Sequence, residues 1–235
     1  MKAVIALASL LALIAASPTI APAAAAPTHE CDGLQICVPV AGPWVVVPTS
    51  AQTPTEYQLD CPRGYIVGGL DAELTTTQID VSFAGTLGSP VNPGITTARS
   101  AVFSGLFVGL GTRAVPSFRP HVGCIPASGG GGRVPTSAAT IVRPGHPTIR
   151  RVQTVGVEPG TTRVTSACAG GEHLVAATHA LGFFAPAPPG AQLVGAVSAR
   201  RIVRAARAVV SVRAGKLVSG VRAVIQVSVV CAGGK

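Results

Sequence analysis

The sequence predicts an all-β protein: two tandem, related β-sandwich-like domains, each stapled by one disulfide, behind a cleaved signal peptide. Three observations predict it. Twenty-eight Gly and twenty Pro are scattered through 235 residues and interrupt long helices. Apolar residues alternate with period two ahead of four cysteines, as half-buried strands require. The interval from Cys61 to Cys124 equals that from Cys168 to Cys231, which points to a duplicated unit.

The chain opens with Met1-Lys2, an uncharged Ala/Leu/Ile-rich run from Ala3 to Ala16, and Ala-x-Ala sites ending at Ala23 or Ala25. That layout is a secretory signal peptide over residues 1–25. Its apolar run is shorter than the roughly 20 residues of a bilayer span. The other long uncharged runs are Gly33–Thr55 and Ala180–Ala199. Pro39, Pro43, Pro48 and Pro54 interrupt the first, and Pro186, Pro188 and Pro189 the second. Backbone groups left unpaired beside them are costly in lipid, so no transmembrane segment is expected after cleavage. Aromatics at 4% are too few for the girdles of a membrane barrel.

Each cysteine of the repeated pairs closes an alternating stretch. Tyr57, Leu59 and Cys61 share a face, as do Val164, Ser166 and Cys168. Phe118, Pro120, Val122 and Cys124 form a third set, and Ile225, Val227, Val229 and Cys231 a fourth. Laying Cys61 on Cys168 without gaps also brings Ala101-Val102-Phe103-Ser104 over Ala208-Val209-Val210-Ser211. Further strands are expected at Ile79–Phe83 and Ala208–Arg213. Six cysteines in an exported chain imply an oxidising compartment. The duplication selects Cys61–Cys124 and Cys168–Cys231 and leaves Cys31–Cys37. Residues 128–136, carrying Gly129–Gly132, read as a flexible joint between domains at 31–127 and 137–235. The joint predicts that the second domain folds alone. Arg200–Val209 is ambiguous: Arg200, Arg204 and Arg207 have helical spacing, whereas the counterpart Pro93–Val102 reads as a loop entering a strand. The duplication favours the latter.

Catalytic motifs are scarce. No Gly-x-Ser-x-Gly elbow occurs, since Val102 stands two residues before Ser104 where Gly is needed. Paired cysteines leave no thiol nucleophile. His173 and His179 share a strand face about 20 Å apart, too far to hold one metal. Asp71, Glu73 and Asp80 are a weak calcium candidate on a solvated turn. Trp44 and the Phe183-Phe184 pair are the rings that could touch a ligand. No cofactor is expected.

Charge is the most informative feature. Residues 24–132 carry a formal net charge of −3, and residues 133–235 one of +11. Arg200, Arg201, Arg204, Arg207, Arg213, Lys216 and Arg222 crowd one stretch and form a candidate polyanion-binding set. Arginine abundance alongside Ala, Gly, Pro and Val also fits a GC-rich genome, with no ligand at all. Specific nucleic-acid recognition is not expected, because neither interleaved aromatics nor a groove-reading helix is present. Cys61-Pro62-Arg63-Gly64-Tyr65-Ile66-Val67-Gly68-Gly69 resembles repeat openings of exported bacterial proteins. The resemblance stops at residue 69 and implies no activity.

The sequence is therefore expected to encode an exported, non-catalytic structural or binding module of the cell envelope or extracellular space. Its basic second domain would contact an anionic envelope polymer or glycan. The alternative is an extracellular hydrolase with carboxylates that no motif reveals.

Overall fold

A computed structural model describes residues 28–50, 53–84, 99–127 and 148–233. The residues read as a signal peptide, those read as a Gly-rich joint, and the Pro93–Ala98 stretch lie outside the described residues. Thirteen strands make up most of the rest: β1 Val38–Ala41, β2 Trp44–Val46, β3 Thr55–Asp60, β4 Tyr65–Leu74, β5 Ile79–Ala84, β6 Ser100–Phe107 and β7 Ser117–Pro126. The second half supplies β8 Thr148–Val157, β9 Gly160–Ala167, β10 Glu172–Phe184, β11 Val197–Arg204, β12 Arg207–Ala214 and β13 Arg222–Gly233. One short helix, α1 Ala191–Gly195, precedes β11. The all-β expectation holds.

The strands form three antiparallel layers. A seven-stranded sheet runs β4, β7, then β1 and β2 in line, then β10, β13 and β8. Sheet β3-β6-β5 packs on one face of it and sheet β9-β12-β11 on the other. Alternation along the shared strands sorts the side chains between the two cores. Val45, Phe118, Val122 and Cys124 enter the first core with Tyr57, Phe103 and Ala180. Phe183, Ile225, Val227, Val229 and Cys231 enter the second, with Val164, Ala208, Val210 and Val212. Cys61–Cys124 and Cys168–Cys231 each tie an outer sheet to the central one across a sequence separation of 63, and Cys31–Cys37 closes a short N-terminal loop.

The halves repeat each other's local geometry. The register that lays Cys61 on Cys168 lays β6 on β12 residue for residue, and the start of β4 on the start of β10. The bulge in β4 at Gly68 falls where β10 bulges at Val175. Gly64 and Gly171 both adopt positive φ, +83° and +82°, in matching turns closed by Tyr65 N–H to Pro62 O and Glu172 N–H to Ala169 O. A Cβ would strain either turn. The equivalence slips between the second and third strands of each unit. There β10 runs on to Phe184, and a loop with α1 separates it from β11, whereas β5 follows β4 after a short turn.

Arg200–Val209 is neither a helix nor a loop. It is a hairpin: β11 and β12 pair from Val197↔Ala214 to Arg204↔Arg207 around Ala205-Ala206, with Ala205 at φ 46°. Ala208, Val210 and Val212 alternate into the second core. Burying that face outweighs the helical preference of Ala and Arg.

The halves also meet through polar contacts. β3 is an edge strand, and its Gln58 backbone is capped by a side chain of the other half. Gln58 N–H donates to Gln226 Oε1 at 2.6 Å, and Gln226 Nε2 donates to Gln58 O at 3.0 Å and to Thr154 Oγ1 at 3.0 Å. Nearby, Arg150 donates to Glu56 at 2.7 Å and to Ser228 at 2.9 Å. Gln226 and Ser228 are therefore buried, although they lie on the β13 face that alternation marks as polar.

Candidate functional site

Antiparallel register places the arginines of the second half on a common grid. On the outer face of β9-β12-β11, one row across the strands is Thr161, Arg213 and Ser198, and the next is Arg163, Ser211 and Arg200. Then come Thr165, Val209 and Ile202, and finally Ala167, Arg207 and Arg204. The opposite face carries Val164, Val210 and their neighbours into the core, so the grid is turned to solvent. All five arginines on it are exposed. Rows two residues apart stand about 7 Å from one another, and outer strands about 10 Å, so the face spans roughly 10 by 20 Å.

None of Arg163, Arg200, Arg204, Arg207 or Arg213 forms an ion pair among the described residues. Arg204 and Arg207 stand directly opposite each other, an arrangement unfavourable without an anion. The two acids of the second half offer no relief. Glu172 is bound bidentately by Arg151, at 2.8 Å for the Nη2 contact. That hydrogen bond, with one from Ala169 N–H, lowers the Glu172 pKa. Glu158 lies in the exposed turn between β8 and β9. Neighbouring guanidinium groups fall within about one Debye length, so their fields add. Such a surface can hold a chain of regularly spaced anions.

The structure divides the candidate set. Arg200, Arg204, Arg207 and Arg213 share the grid. Arg201 lies on the inward face of β11 and lines a groove beside β10. Lys216 begins a 3-10 turn after β12. Arg222 opens β13 and covers the Phe184 ring at 4.4 Å. Arg163 was missed, because it stands alone in sequence; only the β9–β12 pairing brings it beside Ser211.

Other candidates resolve differently. Asp71 and Glu73 sit on β4, not on a turn, and Asp80 is on β5 of another sheet. Asp71 accepts the His29 N–H at 2.8 Å, and Glu73 lies 2.9 Å from His121 Nε2. Phe183 is fully buried and Trp44 nearly so, under Arg119 at 6.0 Å. Neither ring offers a stacking surface, so both are corrected to structural roles. Cys168, Glu172 and Cys231 bring their ligand atoms within 4.8 Å of one another, but the two sulfurs are joined in a disulfide.

A second constellation was not anticipated. His121 is buried between Glu30, 3.7 Å from Nδ1, and Glu73. The N-terminal loop closes over it, seated on Gly69 and Gly123, where a Cβ would collide with the Glu30 carbonyl. Along β7, His121 alternates with Pro120 and Val122, so it lies on the face away from the first core, and the loop's return covers it there.

No protein-family model matches the chain, and no curated protein matches it in sequence. No helix among the described residues is long and apolar enough to cross a membrane, and all six cysteines are paired.

Proposed function

We propose that the chain is an exported binding module of the cell envelope or extracellular space, whose outer β9-β12-β11 face holds an anionic polymer or glycan. One observation carries this reading: five exposed arginines on one sheet face, with no ion-pair partner among the described residues. Interleaved Ser198, Ser211, Thr161 and Thr165 add hydroxyl donors suited to phosphate or carboxylate oxygens. Three disulfides fit an oxidising compartment and stabilise a fold working outside the cell. The matched bulges, turns and bridges support descent of the halves from one duplicated β-sandwich-like unit. In this reading the second copy acquired the charge, and the first became its scaffold.

The hydrolase alternative finds less support. Glu30 and Glu73 flank a histidine but are closed over by the N-terminal loop. The groove beside β10 and a smaller cleft near Gly156–Pro159 are each lined by one carboxylate, Glu56 and Glu158 respectively. Glu56 is already bound to Arg150.

The test is binding of the full chain to immobilised anionic envelope polymer, with the contact mapped by protection of arginines from a guanidinium-specific reagent. Protection should centre on Arg163, Arg200, Arg204, Arg207 and Arg213. Uniform protection of all arginines, Arg63 and Arg113 included, would refute a dedicated face.

A further inference from the structure

We propose that the unpaired edge of β10 is a docking site for an extended acidic polypeptide segment, which adds a strand in line with β2. Along its whole length β10 pairs with β13, but on its other side it pairs with β2 only at Gly182 and Phe183. The chain leaves the line of β2 at Pro48, and among the described residues nothing continues that line beside Ala176–Leu181. Alternate residues of that stretch therefore direct amide and carbonyl groups at an empty strand position.

The position is a built groove of about 700 Å³. One wall is Thr53–Glu56, and the other comes from α1 and β11. Val46, Leu181, Val194 and Val197 give it an apolar lining suited to alternate small or apolar side chains of a guest. Its polar features include His179, whose Nδ1 is buried without a partner among the described residues, Arg201, Thr178 and Glu56.

The other sheet edges carry guards, whereas β10 has only its bulge at Val175, which lies just outside the open stretch Ala176–Leu181. Arg150 and Arg151 lie on β8, Arg163 on β9, and Arg200, Arg201 and Arg204 on β11. β4 has its bulge, Asp71 and Glu73; β5 has Asp80; and the short β1 has Pro39. The edge of β3 is capped by Gln226. Charge, proline and bulges are the devices that keep edges from pairing with other chains. From Leu174 to Leu181, β10 has no formal charge and no proline, only the neutral-favoured His179. An edge left open inside a groove suits strand addition, in which backbone bonds give affinity and alternate pockets give specificity.

The occupant follows from charge. Arg201 overlooks the groove without an ion-pair partner among the described residues, and Glu56, the groove's one carboxylate, is neutralised by Arg150. A guest with an acidic residue beside Arg201 and small apolar residues toward Val46 and Leu181 is complementary. A second copy of β10 is not, because it lies in its own groove and two grooves do not interdigitate.

The experiment uses the full chain and a capped octapeptide of Thr alternating with Val, in which the Val nearest Arg201 is replaced by Glu. Val and Glu then share the face toward Val46, Leu181 and Arg201. Backbone amides of Ala176–Leu181 should gain hydrogen-exchange protection on addition of peptide. The same peptide N-methylated at alternate residues should bind at least about tenfold more weakly, because it cannot complete the ladder. Ala176 is exposed, so Ala176→Lys leaves the fold intact while guarding the edge, and it should weaken binding by about tenfold. Replacing Arg204, Arg207 and Arg213 by Gln should leave peptide binding unchanged, which separates this site from the arginine face. Equal binding of the N-methylated peptide, protection confined to β9, β11 or β12, or no binding at millimolar peptide would each overturn the proposal.

Discussion

Gln226 shows how one residue joins the halves. Its carboxamide supplies the acceptor and the donor that a neighbouring strand would otherwise give Gln58. Gln226→Leu removes both and leaves two part-buried backbone groups unpaired. The expected loss is about 1–3 kcal/mol, read by chemical denaturation; no loss would mean that water replaces the side chain. His179 sets a pH dependence. Burial, and then the charge of Arg201, hold its pKa below the ordinary 6.5. The unfolded chain therefore binds a proton that the folded chain refuses. This contribution to stability is complete above pH 6.5 and is lost as pH falls below it. His179→Gln should flatten the stability profile between about pH 6.5 and the carboxylate range. An unchanged slope would place the effect elsewhere.

At the scale of elements, the β11–β12 hairpin separates what was legible from what was not. Ala208–Arg213 could be read as a strand, because apolar residues alternate there and Ala-Val-x-Ser repeats Ala101–Ser104. β11 could not: Ser198–Arg204 is exposed on both faces, so no burial pattern marks it. Its arginines fall by chance at helical spacing. The four cysteine-ended strands were legible for the opposite reason, since a disulfide and a core sit on one side of each. The turn gives a direct test of the hairpin. Ala205 holds φ 46°, a left-handed conformation that Asn tolerates better than Ala. Ala205→Asn should stabilise the protein by up to about 1 kcal/mol, seen as a raised Tm. A helix in this segment would instead be weakened by the change.

At the scale of the molecule, alternation and cysteine spacing pointed to two sandwiches but could not reveal the seven-stranded sheet that takes strands from both halves. The link is β2, three residues long and bounded by Pro43 and Pro48, too short to carry a period. Through it Val45 enters one core and Val46 packs against the other. A Gly-rich joint implies two folding units, whereas a shared sheet implies one. With the Glu56–Arg150 and Gln58–Gln226 contacts added, the full chain should unfold in a single transition by calorimetry. Two resolved transitions would return independence to the halves.

The arginine grid exists at this scale alone, since strand pairing assembles it from three separated segments. Its function is most directly tested by the salt dependence of binding to purified anionic polymer. Each neutralised anion releases condensed counterions, so log K should fall linearly with log salt. Replacing Arg204, Arg207 and Arg213 by Gln should reduce the slope by about two to three and leave the Tm unchanged or raised. An identical slope in the variant and the parent chain would mean that these arginines face solvent without a ligand, and would contradict the proposed function.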